Sequence, residues 1–163
     1  AKGYKSANFH GIGTHYPAIQ DILKYVVDKG KSQVKDRSRV GENLYMRGVI
    51  NSVLIAESIR TAQSKFGNKV VNGVETRWGM ENLDLTSARM AEIGLPGFTN
   101  PIKVSCDDHA NNGPIFIQQW NGTSWERVSG WINSMDRVRP MLEKAAANYK
   151  AKNNVPNRTI PCS

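Results

Sequence analysis

The sequence predicts an α/β chain in which helices outnumber strands and the sheets are incomplete. Three observations lead there. A run at helical spacing extends from about Gly41 to Phe66, longer than any other in the chain. An apolar-alternating segment (Ile115, Ile117, Trp120) meets Asn121-Gly122, the favoured dipeptide of a two-residue hairpin, and a second arm carries Trp125 and Val128. Finally, the candidate strands lie only at the beginning and in the late middle, too few to cover helices of this length. Such a layout reads as a fragment, or as a chain that borrows strands from a partner.

Element by element, Gly3 to Ile12 reads as an extended segment ending in glycines. Thr14 is placed to cap a helix with Pro17 in its first turn. Ile19, Ile22, Leu23, Val26 and Val27 then recur at helical spacing until Gly30 stops the run. A polar loop over 30–40 precedes the long helix, whose apolar face is read as Leu44, Val49, Val53, Ile55, Ile59 and Ala62, with Gly67 at its end. Glu57 and Arg60 lie one turn apart and read as a surface pair. Glu75, Arg77 and Glu81 around Trp78 read as a solvated loop with a Trp anchor. A helix over Thr86–Ile93 closes at Gly94, a strand is expected at Ile102–Ser105, and a last helix follows Asp136-Arg137-Val138-Arg139-Pro140 and runs to about Lys152. The tail 153–163 looks irregular.

Composition bounds the function. Apolar content of 39% and charged content of 22% are globular values, and no apolar run approaches the length needed to cross a bilayer. The chain starts at Ala1 without a basic, apolar leader, which reads as a processed chain or a piece of one. The net charge is +8, from 22 Lys+Arg against 14 Asp+Glu. The basic residues are spread along the chain and are not interleaved with aromatics, which argues against a nucleic-acid surface.

The residues with chemical potential are few. Gly11-Ile12-Gly13 lies between a strand and a helix, but Tyr16 stands where a third glycine would be, so it reads as a flexible connection rather than a phosphate loop. Cys106, Asp107, Asp108 and His109 have metal-ligand or nucleophile residue types; the bland reading, turn formers ahead of a hairpin, is preferred. No serine-nucleophile elbow, zinc-protease helix or paired-carboxylate motif occurs. Cys106 and Cys162 suit one disulfide tying the C-terminus to the body, worth about 4 kcal/mol in the chain-entropy model and requiring an oxidising compartment. Two unpaired thiols are the alternative.

Taken in order, several segments carry a family resemblance: Gly3-Tyr4-Lys5, Phe9-His10-Gly11-Ile12-Gly13-Thr14, Tyr16-Pro17-Ala18-Ile19-Gln20-Asp21-Ile22, Val40-Gly41-Glu42-Asn43-Leu44-Tyr45 with Arg47-Gly48-Val49, Glu57-Ser58-Ile59-Arg60-Thr61-Ala62-Gln63, Arg77-Trp78-Gly79-Met80-Glu81-Asn82-Leu83, Val104-Ser105-Cys106-Asp107-Asp108-His109 and Gln118-Gln119-Trp120-Asn121-Gly122. Together they resemble the C-terminal portion of the branched-chain-amino-acid-type substrate-binding proteins of ABC importers, the type I periplasmic binding proteins. The resemblance implies a fragment of a fold with two three-layer αβα lobes: residues 1–12 a hinge strand, 13–93 mainly helices of one lobe, and 94–163 the closing strands, last helix and tail. It implies capture of a small solute, an amino acid or other small carboxylate, in a cleft between lobes, and delivery to an ABC permease in the inner membrane.

By the same resemblance the protein is periplasmic, performs no catalysis and uses no metal or cofactor. Tyr45, then Glu42 and Asn43, with Phe9 and His10 on the hinge side, become the ligand-binding residues, and Cys106 a partner of Cys162. A strand-exchanged or edge-paired homodimer of the fragment is a further partner it allows. The rival classes are a basic polyanion-binding module and a small Cys/His metalloenzyme.

Overall fold

A computed structural model describes residues 1–110, 113–133 and 135–156. Twelve elements follow one another: β1 (Lys5–Asn8), α1 (Pro17–Ile22) continued by a π-helical turn (Leu23–Val27), a 3-10 turn (Arg37–Arg39), α2 (Asn43–Phe66), α3 (Gly73–Glu81), β2 (Asp84–Leu85), α4 (Ser87–Glu92), β3 (Ile102–Lys103), β4 (Phe116–Trp120), β5 (Trp125–Arg127) and α5 (Met135–Asn153). The sheets are small, as the scarcity of strand signals predicts. One is antiparallel with order β1-β4-β5, pairing Lys5 with Gln119, Asn8 with Phe116, and Trp120 with Trp125. The other pairs only β2 with β3.

The core lies where α1, α2 and α4 meet the Leu95–Phe98 segment. Ile19, Met46, Ile50, Met90, Leu95 and Phe98 are almost wholly removed from water there, the main driving force for holding these pieces together. Helix α4 is fixed at both ends by local chemistry. Thr86 accepts a hydrogen bond from the Arg89 amide. Beyond the last turn, Leu95 N donates to Met90 O and Gly94 N to Ala91 O, the paired bonds of a Schellman stop, with Gly94 at φ +78°. The Gly94 carbonyl accepts from Ala18 N and so joins α4 to the start of α1.

Several sequence expectations are corrected. Thr14 is not the cap of α1: Tyr16 occupies that place without a side-chain bond, and Pro17 supplies the preset first turn. The hairpin has a four-residue connection rather than two, because the Asn121 side chain accepts from the amides of Thr123 and Ser124 and closes the loop early. The segment around Trp78 is helix α3, started by a capping box in which Asn72 accepts from Glu75 N and Glu75 accepts from Asn72 N. Glu57 is held chiefly by Arg89, with two contacts of 2.8 Å, and Arg60 stands off at 3.5 Å; a bidentate fork outcompetes the neighbour one turn away. The buried row of α2 is Met46, Ile50, Ser58 and Ala62, whereas Leu44 and Ile55 are exposed.

That row explains how α2 and α3 approach. Ser58 turns its hydroxyl back to Leu54 O at 2.6 Å, and the backbone of α3 comes so near that a Cβ on Gly79 would lie 2.0 Å from Ser58 O and 3.0 Å from the Ala62 Cβ. Glycine-to-alanine exchange inside a helix ordinarily stabilises by about 1 kcal/mol. Here the clash reverses the sign. Gly79→Ala is expected to destabilise by about 1–3 kcal/mol, read as a lower denaturation midpoint in urea; an unchanged or raised midpoint would contradict the close approach.

Candidate ligand-binding site

Strand β1 alternates outward and inward, and its inward end delivers Asn8 to the boundary between sheet and helices. Asn8 is buried. Its Oδ1 accepts from Phe9 N at 2.9 Å, and its Nδ2 donates to Asn43 Oδ1 at 2.9 Å and, more weakly, to Gln118 Oε1 at 3.5 Å. The antiparallel register sets Asn8 against Phe116, so Gln118 is its diagonal neighbour on the same face. Asn43 opens α2. One polar link therefore joins β1, β4 and α2.

His10 is the next inward residue and is fully buried, bridged to Thr99 and in ring contact with Phe9 and Phe98 at 5.0 and 5.6 Å. Arg47 Nε donates to His10 Nε2 at 2.8 Å. That nitrogen must accept, so the ring proton sits on Nδ1, which donates to Gly11 O at 2.9 Å. The imidazole is thereby fixed in its neutral form. Burial is the largest cause of a pKa below the usual histidine value; the Gly11 carbonyl opposes it, and the Arg47 charge adds to it. The Arg47 guanidinium lies over the Phe9 ring, 4.1 Å from its centroid. Asn43 and Arg47 are four residues apart on α2 and share one face.

Beside this cluster, Phe9 forms part of the wall of a largely apolar cleft of about 630 Å³, together with Leu54, Met80, Ile102, Val104 and Ile115. Its polar groups are led by Glu81, which accepts from Arg77 Nε at 2.9 Å and meets His109 Nε2 at 3.1 Å. Two further grooves, of about 660 and 420 Å³, lie along other sides of α2.

The structure thus brings Phe9, His10 and Asn43 together and leaves Tyr45 and Glu42 outside their cluster. Tyr45 lines both α2 grooves, with its hydroxyl pKa raised by burial. Glu42 lies in the smaller groove and accepts from Arg39 at 3.0 Å. Asp108 and His109 diverge, the first to Arg139 at 2.9 Å and the second to Glu81, and no group of metal-ligating side chains gathers among the described residues. The pairing of Cys106 with Cys162 falls outside the described residues. Asn8, Arg47 and Gln118 complete the cluster; Arg47 and Gln118 lie within the resembling segments, but none of the three was read as a site residue. Their signal was present in part: Asn8 shares the strand period with His10, and Arg47 follows Asn43 by one helical turn.

No protein-family model matches the sequence, and no curated protein sequence does. Two solved structures do match. The first, described as an ABC transporter permease from the Pseudomonas fluorescens group, is 35% identical with a TM-score of 0.88 over 99% of this chain and 39% of its own. The second, a branched-chain amino acid ABC transporter from Thermus thermophilus with bound valine, is 15% identical with a TM-score of 0.63 over 87% of this chain and 36% of its own. The chain spans somewhat over a third of the length of each. Its mixed helix-and-sheet fold is similar to part of a periplasmic binding protein and is related to ABC transport. No described helix is long and apolar enough to cross a membrane.

The protonation state of His10 is directly measurable. Its folded pKa is below the unfolded value of 6.5, so its contribution to stability is complete above 6.5 and is lost as pH falls from there through the folded value. The His10 imidazole resonances in NMR are expected to titrate with a midpoint below 6.5. A midpoint at or above it would mean that Arg47 does not donate to a neutral ring.

Proposed function

We propose that these residues belong to the extracytoplasmic solute-binding component of an ABC importer, which captures a small solute without catalysis and presents it to a permease in the inner membrane. The observation that carries this reading is the superposition over nearly the whole chain on an ABC-transport structure at 35% identity. That structure is described as a permease. The solute-binding assignment rests instead on the likeness in fold to the valine-bound protein and on the cluster of Phe9, His10, Asn43 and Arg47 beside an apolar cleft. A largely apolar pocket with a few fixed polar groups is the usual construction of a small-molecule site.

In this reading the rest of the two lobes is supplied by sequence beyond these residues, and the ligand closes between them. The open strands β1 and β5 are the edges at which further strands, or a second copy, would pair. The protein resides in the periplasm.

The test is a thermal-shift and calorimetric screen of the full-length gene product against amino acids and aromatic or aliphatic carboxylates. A true ligand at a hundredfold excess over its Kd is expected to stabilise by about 2.7 kcal/mol, with no chemical change in the recovered solute. Steeply salt-dependent binding of DNA or heparin, with no response to any small solute, would replace this reading with the polyanion-binding one.

A further inference from the structure

Four arginines among the described residues are half-buried: Arg47, Arg77, Arg89 and Arg139. Three of them sit on carboxylates. Arg77 contacts Glu81 at 2.9 Å, Arg89 contacts Glu57 and Glu92 at 2.8 Å, and Arg139 contacts Asp108 at 2.9 Å. Arg47 does not. Its Nε donates to a neutral imidazole, its plane rests on the Phe9 ring, and its two terminal amino groups have no partner among the described residues. A guanidinium partly withdrawn from water and left without a counter-charge is unfavourable, yet two neighbours hold this one in a single orientation.

Asn43 stands one helical turn before it. Asn8 uses the Asn43 carbonyl oxygen, which leaves the Asn43 Nδ2 hydrogens without an acceptor among the described residues. Two sets of unused donors therefore lie on one face of α2, next to an aromatic ring that forms part of the cleft wall. A planar fork and an amide side by side complement a carboxylate, whose two oxygens offer about four acceptor sites.

We infer that Arg47 and Asn43 form a carboxylate-binding subsite, with Phe9 and His10 as positioning residues that hold the guanidinium with its terminal amino groups open. The inference rests on the solute-binding reading above and narrows it to solutes with a free carboxylate. Arg47 supplies the charge and both terminal donors, Asn43 adds a neutral donor, and the Phe9 ring covers the guanidinium face and keeps water from it.

The experiment compares full-length wild type, Arg47→Gln, Arg47→Lys and Asn43→Ala by calorimetry with two matched pairs: leucine and leucinamide, benzoate and benzamide. Wild type is expected to bind at least one carboxylate well ahead of its amide. Arg47→Gln is expected to weaken that carboxylate by about 10- to 100-fold, the size of a lost charge-assisted hydrogen bond, and to weaken the amide much less, because its neutral carbonyl gains less from the guanidinium. Arg47→Lys keeps the cation but loses the fork and the bond to His10, so it recovers only part of the affinity. Asn43→Ala gives a smaller loss. Melting curves of each variant separate a lost contact from a lost fold, since an unfolded variant loses carboxylate and amide binding together.

Carboxylate affinity unchanged in both a folded Arg47→Gln and a folded Arg47→Lys overturns the subsite while leaving solute binding intact. Equal wild-type affinity for carboxylate and amide does the same. A wild type that binds no small solute overturns the solute-binding reading and this inference with it.

Discussion

The hydrogen bond from Arg47 to His10 is the contact on which the arrangement of sheet and helices turns. His10 follows β1 in the chain, bridges to Thr99 beside the core residue Phe98, and receives Arg47 from α2. Three stretches far apart in sequence meet at one ring. The bond demands a neutral imidazole, and burial favours that form. Protonation would set two cations against each other with no water between them and remove the only lone pair that Arg47 Nε uses. The geometry is self-consistent because the donor, the tautomer and the Gly11 acceptor each require the other two.

Around that contact the polar groups fall into a chain. Gln118 and Asn43 meet at Asn8, and Asn43 and Arg47 share a helix face, so β4, β1 and α2 are tied by side-chain amides rather than by apolar packing alone. Buried amides are expensive unless bonded, and no buried side-chain nitrogen or oxygen among the described residues lacks a partner. Arg47 is the exception in charge rather than in geometry. Its terminal amino groups and the Asn43 amide nitrogen are the donors of this cluster left without partners among the described residues, an arrangement that an anion would complete.

Much of the fold was legible because its signals are local. Thr86 and Gly94 bracket α4 in the sequence as they do in space, the length of α2 follows from its uninterrupted helical spacing, and the scarcity of strand signals matches sheets that are small. Helix α3 was harder to read. Its Asn72–Glu75 box is visible, but Gly73 and Gly79 lower the helical signal, and Gly79 is there because Ser58 O of α2 leaves no room for a Cβ. No short window records a constraint imposed from another helix. The same holds for the candidate site. Phe9, His10 and Asn43 were chosen through family resemblance, whereas the role of Arg47 depends on a partner 37 residues earlier. Tyr45, two residues from both Asn43 and Arg47, is turned by about 200° around the helix axis and faces the grooves on another side of α2.

The proposed solute site lies where β1 meets α2. A crystal structure of the full-length gene product with its tightest-binding carboxylate tests this most directly. Solute oxygens are expected within hydrogen-bonding distance of the Arg47 terminal amino groups and the Asn43 amide, with His10 still accepting from Arg47 Nε. A solute seated instead in the Tyr45 grooves, or with Arg47 turned away to another partner, would contradict it.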